Sequence, residues 1–133
     1  VAAATERLME RGARRVIPLK VAGAFHSEVM RPAAEQLRQH LASVELRAPE
    51  IPFIPNTTGV WMKNPEEIRN GLAEQVCSPV LWERSMLTAT AEGIQKMVEP
   101  GPGSVLKGLL RKIDPGVEVE SFPEVASLPG EDR

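Results

Sequence analysis

Aromatic residues are scarce in this 133-residue chain: there is no tyrosine, and three phenylalanines and two tryptophans make up the whole set, 4% of the sequence. Platforms that stack nucleobases need such rings, and no cluster of basic residues here is flanked by them. A formal net charge of -2 also removes the general attraction to a polyanion. These absences argue against nucleic acid as a partner. The single cysteine, Cys77, excludes an intramolecular disulfide framework and a cysteine-rich zinc site, and no metal site is expected. No apolar run approaches the roughly 20 residues of a membrane-spanning helix, and no signal-peptide pattern opens the chain. The expected setting is therefore soluble and reducing, away from a membrane.

What remains is an ordinary globular mixture, 42% apolar and 26% charged, enough for one modest domain. The chain opens on Val1 rather than methionine, with Val1, Ala4 and Leu8 already at helical spacing, which predicts a fragment of a longer protein. Gly12 is the expected stop of that first helix. Arg15–Val21 reads as a strand, pushed towards a sheet edge by Pro18. Pro32 suits a helical first turn, and Ala33, Leu37, Leu41 and Val44 continue the stripe. Ile51–Asn56 predicts a short strand ending in the Asn56–Gly59 turn. Asn64-Pro65-Glu66-Glu67 is a strong helix start, with a capping side chain, a proline in the first turn and early acids. Pro79 ends that helix; the next spans about 80–92 and stops at Gly93. Ile94–Glu99 reads as a strand, Gly101-Pro102-Gly103 as a tight turn, the stretch from Ser104 to Ile113 as an amphipathic helix, and Val117–Phe122 as a closing strand. Alternating strands and helices predict an α/β fold.

His26 is the first candidate for chemistry. It lies in the loop Gly23-Ala24-Phe25-His26-Ser27 between a predicted strand and helix, and imidazole can take a proton from a hydroxyl near neutral pH and return it. Its local sequence also fits a capping or hydrogen-bonded loop histidine without a catalytic role, the commoner case for a lone histidine. Gln75 is the second. Its backbone carbonyl would accept an N–H from residue 79 if the helix continued, but Pro79 has none. That carbonyl needs another donor, which is either water or a histidine Nδ1–H. Cys77 reads as a buried inert thiol or as a nucleophile paired with His26. Gly101-Pro102-Gly103 before a helix is a packing turn or a phosphate cradle. Arg111 and Lys112 suit the negative end of their helix, and are also available to an acidic partner.

Taken together, four segments resemble the malonyl-CoA:acyl-carrier-protein transacylases, in the family's order and over nearly the whole chain. They are Gly23-Ala24-Phe25-His26-Ser27 running on to Ala33, Pro55-Asn56-Thr57-Thr58-Gly59, Glu74 to Trp82, and Glu99 to Leu106. The resemblance implies part of a hydrolase-like α/β core, with residues 1–21 as the last helix and strand of a small ferredoxin-like insert, 22–122 as the C-terminal part of the core, and 123–133 as a tail. It implies transfer of a malonyl group from malonyl-CoA to the phosphopantetheine thiol of acyl carrier protein through a malonyl-serine ester, in fatty acid synthesis. His26 then matches the base and Gln75 the carbonyl that orients it. Phe25, just before that histidine, matches the position whose bulk goes with malonyl over methylmalonyl, and Arg111 and Lys112 become candidates for docking acyl carrier protein. No resident cofactor is implied, and the expected location is cytoplasmic, or an organelle lumen if a transit peptide precedes the chain.

The departures from the family are as informative. None of Ser27, Ser43, Ser78, Ser85, Ser104, Ser121 and Ser127 sits in a Gly-x-Ser-x-Gly turn. The nucleophile, the arginine for the malonyl carboxylate and the oxyanion hole belong to an N-terminal half that this sequence lacks, so the chain alone is expected to be inactive. The alternatives are an acyltransferase domain of a polyketide synthase and a truncated, non-catalytic segment that binds carrier protein.

Overall fold

A computed structural model describes residues 2–18 and 21–124. Five helices and two strands follow in the order α1 (Ala2–Glu10), a single 3-10 turn (Glu28–Met30), α2 (Arg31–Ala42), α3 (Pro65–Glu74), α4 (Trp82–Ala91), β1 (Lys96–Pro100), α5 (Val105–Ile113) and β2 (Glu118–Phe122). The sequence signals at the helix ends act as anticipated. The Asn64 side chain accepts from the backbone N–H groups of Glu66 and Glu67 at 2.8 and 3.3 Å, with Pro65 in the first turn. Gly12 and Gly93 end α1 and α4 with φ values of 87° and 86°. The following residue in each case bonds back five positions, Ala13 to Leu8 and Ile94 to Ala89. Only a residue without Cβ makes that left-handed exit at no steric cost.

β1 and β2 pair in parallel, Lys96 opposite Glu118 through Pro100 opposite Phe122, and α5 is the crossover between them. This βαβ unit makes the fold α/β. Two expected strands are absent. Arg15–Pro18 and Val21 form no strand, and Leu19 and Lys20 lie outside the described residues. Ile51–Asn56 contributes one isolated antiparallel bridge, Phe53 with Met62. A strand exists only as half of a hydrogen-bonded ladder, and Pro18, Pro52 and Pro55 each remove a donor from these stretches.

α2 lies against α3, and Ala34 on the first and Ala73 on the second are fully buried. Elsewhere the interior is thin. Ala89, Cys77, Leu110 and Pro55 are also buried, and no large side chain among the described residues is fully buried. Ile51, Val105, Val98 and Leu106 are among the apolar side chains left open to solvent.

Candidate active site

His26 sits at the tip of the loop before the 3-10 turn, in a left-handed conformation with φ 64°. It is the one non-glycine residue of that kind among the described residues. Such a conformation costs an ordinary L-residue about 1–2 kcal/mol, so it persists only where neighbouring contacts fix it. Those contacts come from the turn that ends α3. The His26 N–H donates to the Val76 carbonyl at 2.9 Å. The ring Nδ1 lies 3.0 Å from the Gln75 carbonyl and 3.2 Å from the Ser78 carbonyl. Within the loop, the Ser27 hydroxyl donates to the Ala24 carbonyl at 2.6 Å.

The geometry dictates the tautomer. Both neighbours of Nδ1 are carbonyl oxygens, which only accept, so Nδ1 carries the proton in the neutral ring. Nε2 is then the bare nitrogen, on a side chain open to solvent, and it is the atom that can accept a proton. The Gln75 carbonyl is available because α3 stops at Glu74: the turn satisfies Glu74 and Ala73, through Cys77 and Ser78 N–H to Glu74 and Val76 N–H to Ala73. Pro79 brings no further donor. The second acceptor, Ser78, was not foreseen in the sequence; its place directly before Pro79 in the same turn was the available signal.

Ion pairs brace this junction. Arg31, the first residue of α2, donates to Glu28 at 2.6 and 3.0 Å and to Glu74 at 2.8 and 3.1 Å. Arg38, two turns further along the same face of α2, also donates to the Glu74 carboxylate and stands 3.5 Å from Glu35. Hydrogen bonding to Arg31 holds the Glu28 and Glu74 carboxyls below the usual range, and Arg38 adds to the effect at Glu74.

The other sequence candidates fall in different places. Phe25 is 57% exposed, with its ring edge across Gly23, where a Cβ would stand 3.3 Å from it. Together with residues 21–27 it borders an open depression beside His26. Cys77 is buried, its thiol donating to the Glu74 carbonyl at 3.4 Å, and burial pushes its pKa up despite the nearby Arg31. A thiolate nucleophile needs the opposite shift, so Cys77 is a buried structural thiol rather than a nucleophile. The N-terminus of α5 is filled from within. Glu99 on β1 accepts from the N–H groups of Leu106 and Lys107 at 2.9 and 3.2 Å and from the Ser121 hydroxyl at 3.1 Å. Burial alone would raise the Glu99 pKa, but these donors outweigh it and the net shift is downward. Gly101-Pro102-Gly103 is therefore a packing turn rather than a phosphate cradle, because the Glu99 carboxylate takes the N–H groups a phosphate would need. The Asn56 carbonyl accepts from Leu81 N–H at 2.8 Å, and the Gly59 carbonyl from the Thr88 hydroxyl at 2.6 Å, so the Pro55–Gly59 turn fastens the start of α4. Arg111 and Lys112 are exposed in the last turn of α5.

No family model matches the chain. It is 42% identical over 111 residues to the malonyl CoA-acyl carrier protein transacylase of Bacillus subtilis strain 168, covering 84% of this chain and 35% of that protein. The chain is a homologue of one segment of such transacylases. Solved structures agree. The acyl carrier protein S-malonyltransferase of Vibrio cholerae superposes with a TM-score of 0.87 at 38% identity, over 96% of this chain and 42% of that one. A malonyl-transacylase in complex with its type II PKS acyl-carrier protein superposes with a TM-score of 0.88 at 31% identity, over 96% and 41%. The chain thus spans about a third to two fifths of the length of the transacylases it matches.

Proposed function

We propose that this chain is the histidine-bearing segment of a malonyl-CoA:acyl-carrier-protein transacylase, working with a serine supplied by the portion of the enzyme that the sequence lacks. The observation that carries this reading is the His26 ring, held by its Nδ1 against the Gln75 and Ser78 carbonyls. That arrangement leaves Nε2 to act as the base. In the first half-reaction Nε2 takes the serine hydroxyl proton as the oxygen attacks the thioester carbonyl. The carbon–sulfur bond then breaks, coenzyme A leaves as its thiol with that proton, and a malonyl-serine ester remains. In the second, Nε2 takes the proton of the phosphopantetheine thiol, sulfur attacks the ester, and serine recovers its proton. The Gln75 carbonyl fills the orienting role that an aspartate has in the familiar triad. No metal or resident cofactor enters these steps; phosphopantetheine arrives with the carrier protein.

Phe25 beside the base narrows the space for a methyl branch on the α-carbon, favouring malonyl over methylmalonyl. Arg111 and Lys112 offer positive charge to an acidic carrier protein. In this reading residues 1–21 end a ferredoxin-like subdomain, 22–122 belong to a hydrolase-like core, and the tail from 123 lies mostly outside the described residues. The exposed apolar surface supports packing against the remainder of that core. Among the described residues no helix is long and apolar enough to cross a membrane, in keeping with a cytoplasmic place in fatty acid synthesis. A type II PKS partner of one structural neighbour keeps polyketide synthesis as the second reading. The test is to join this chain to the remaining portion of a transacylase and supply malonyl-CoA and holo carrier protein. Malonyl on the carrier thiol is expected from the joined protein and none from the isolated chain. A malonyl ester forming on the isolated chain would overturn the division of labour.

A further inference from the structure

The carboxylate of Glu74 occupies an unfavourable place. It closes α3, where the helix dipole repels negative charge, and it is followed at once by a turn whose carbonyls at positions 75, 76 and 78 all point their acceptor role at His26. Capping gives no reason for it. Its partners do. Arg31 stands between Glu74 and Glu28, and Arg38 between Glu74 and Glu35, so charges alternate Glu28–Arg31–Glu74–Arg38–Glu35 across the 3-10 turn, α2 and α3. Glu28 is two residues beyond His26, and Glu74 is one residue before Gln75. The chain of ion pairs therefore joins the two strands of backbone that meet at the imidazole, at a point adjacent to each.

From this we infer that Glu74, acting through Arg31, is a positioning residue for His26: the ion pair clamps the histidine loop onto the α3 turn and so maintains the ring's contact with Gln75. The inference rests on the catalytic reading of His26 for its consequence, but not for its structural content. Arg31 forks onto two carboxylates with four bonds of 2.6–3.1 Å, a planar match that a lysine could not reproduce. The link is half-exposed, at 38% for the Arg31 side chain and 36% for Glu74, so its strength is that of a braced surface network rather than of a buried pair.

Amide hydrogen exchange on the 133-residue chain separates this role from general stabilisation. The His26 N–H, bonded to Val76, reports local opening of the loop, and the Leu110 N–H in α5 reports the rest of the fold. In Glu74→Gln the His26 amide should exchange about two- to fivefold faster, the range expected for loss of a half-exposed ion pair, with Leu110 unchanged. Glu120→Gln, at the Lys96 pair on the sheet, should leave His26 unchanged. Equal acceleration at both amides, or none at either, overturns the inference. Glu28→Gln provides the second reading should Glu74→Gln unfold: a smaller local acceleration at His26 supports the clamp, and an unaltered rate contradicts it. Malonyl transfer by the joined enzyme is a separate arm. A fall in kcat with KM little changed, alongside local acceleration, supports both readings; local acceleration without any transfer by the unsubstituted enzyme leaves the clamp standing and removes the transacylase assignment.

Discussion

Two regions of the molecule are held together by different means. Where the His26 loop meets α2 and α3, the contacts are polar and self-contained: three backbone carbonyls on one histidine, a four-bond arginine fork, and fully buried alanines between the helices. In the β1–α5–β2 unit the polar framework is also sound, since Glu99 caps α5 and Lys96 reaches Glu120 at 3.0 Å. Its apolar side chains, however, find no such closure, and neither do Phe25 and Val29 beside the histidine loop. Val98, Val105, Leu106 and Leu109 are exposed, and Trp82, Met86, Met97, Leu106, Leu110 and Val119 surround a cavity of about 310 Å³. The buried indole N–H of Trp82 has no partner among the described residues. Polar geometry at the histidine is thus complete within this chain, whereas hydrophobic burial is not. Orientation of the His26 ring is a local property of this chain, set by two carbonyls of the α3 turn, while many of its apolar side chains stay open to solvent.

The largest test of this contrast is His26→Ala in the joined enzyme. Loss of the base should slow malonyl transfer by about 10²–10⁴-fold, with a far-UV circular dichroism spectrum that does not change. A smaller effect belongs to Pro79→Ala. It restores an N–H that competes for the Gln75 carbonyl, and the loss of one hydrogen bond to the ring corresponds to about three- to tenfold in rate. A rate equal to that of the parent would mean that the carbonyl does not orient the ring. On the other side of the contrast, Glu99→Ala strips α5 of its carboxylate cap and should cost about 1–2 kcal/mol in urea unfolding, while His26 keeps its contacts. Last, Val105→Ser, at a side chain 70% exposed, should change stability by no more than about 0.5 kcal/mol yet reduce hydrophobic-dye binding by the isolated chain.

Acid should loosen both regions. Glu74 and Glu99 have lowered pKa values in the fold. Their contribution is present in full above the unfolded value, near 4.3, and is lost as pH falls through the lower folded values. Stability should therefore decline as pH falls below about 4, and Glu74→Gln should flatten part of that slope at the His26 amide.

Local signals explain what could be read from the sequence. Asn64, Pro65, Gly12 and Gly93 determine helix ends through bonds spanning a few residues, and those ends lie where their chemistry puts them. Pro79 made the Gln75 carbonyl conspicuous for the same reason, since a missing donor four residues away is a local fact. Strands at Arg15–Val21 and Ile51–Asn56 depended on a neighbouring ladder, which periodicity cannot supply. The Glu74–Arg31 and Glu99–Ser121 contacts join residues 43 and 22 positions apart; nothing near either residue announces them. The α/β alternation was legible because β1, α5 and β2 are consecutive and need no distant partner to pair.

The central claim is that His26 carries its proton on Nδ1, facing the Gln75 carbonyl, and leaves Nε2 bare. A long-range proton–nitrogen NMR spectrum of the 15N-labelled chain reads that proton directly. The predicted result for the neutral ring is a protonated Nδ1 with slowed exchange and an Nε2 shift typical of an unprotonated nitrogen, both moving towards free-histidine values in Pro79→Ala. A proton found on Nε2, with Nδ1 bare against two carbonyl oxygens, would contradict the account.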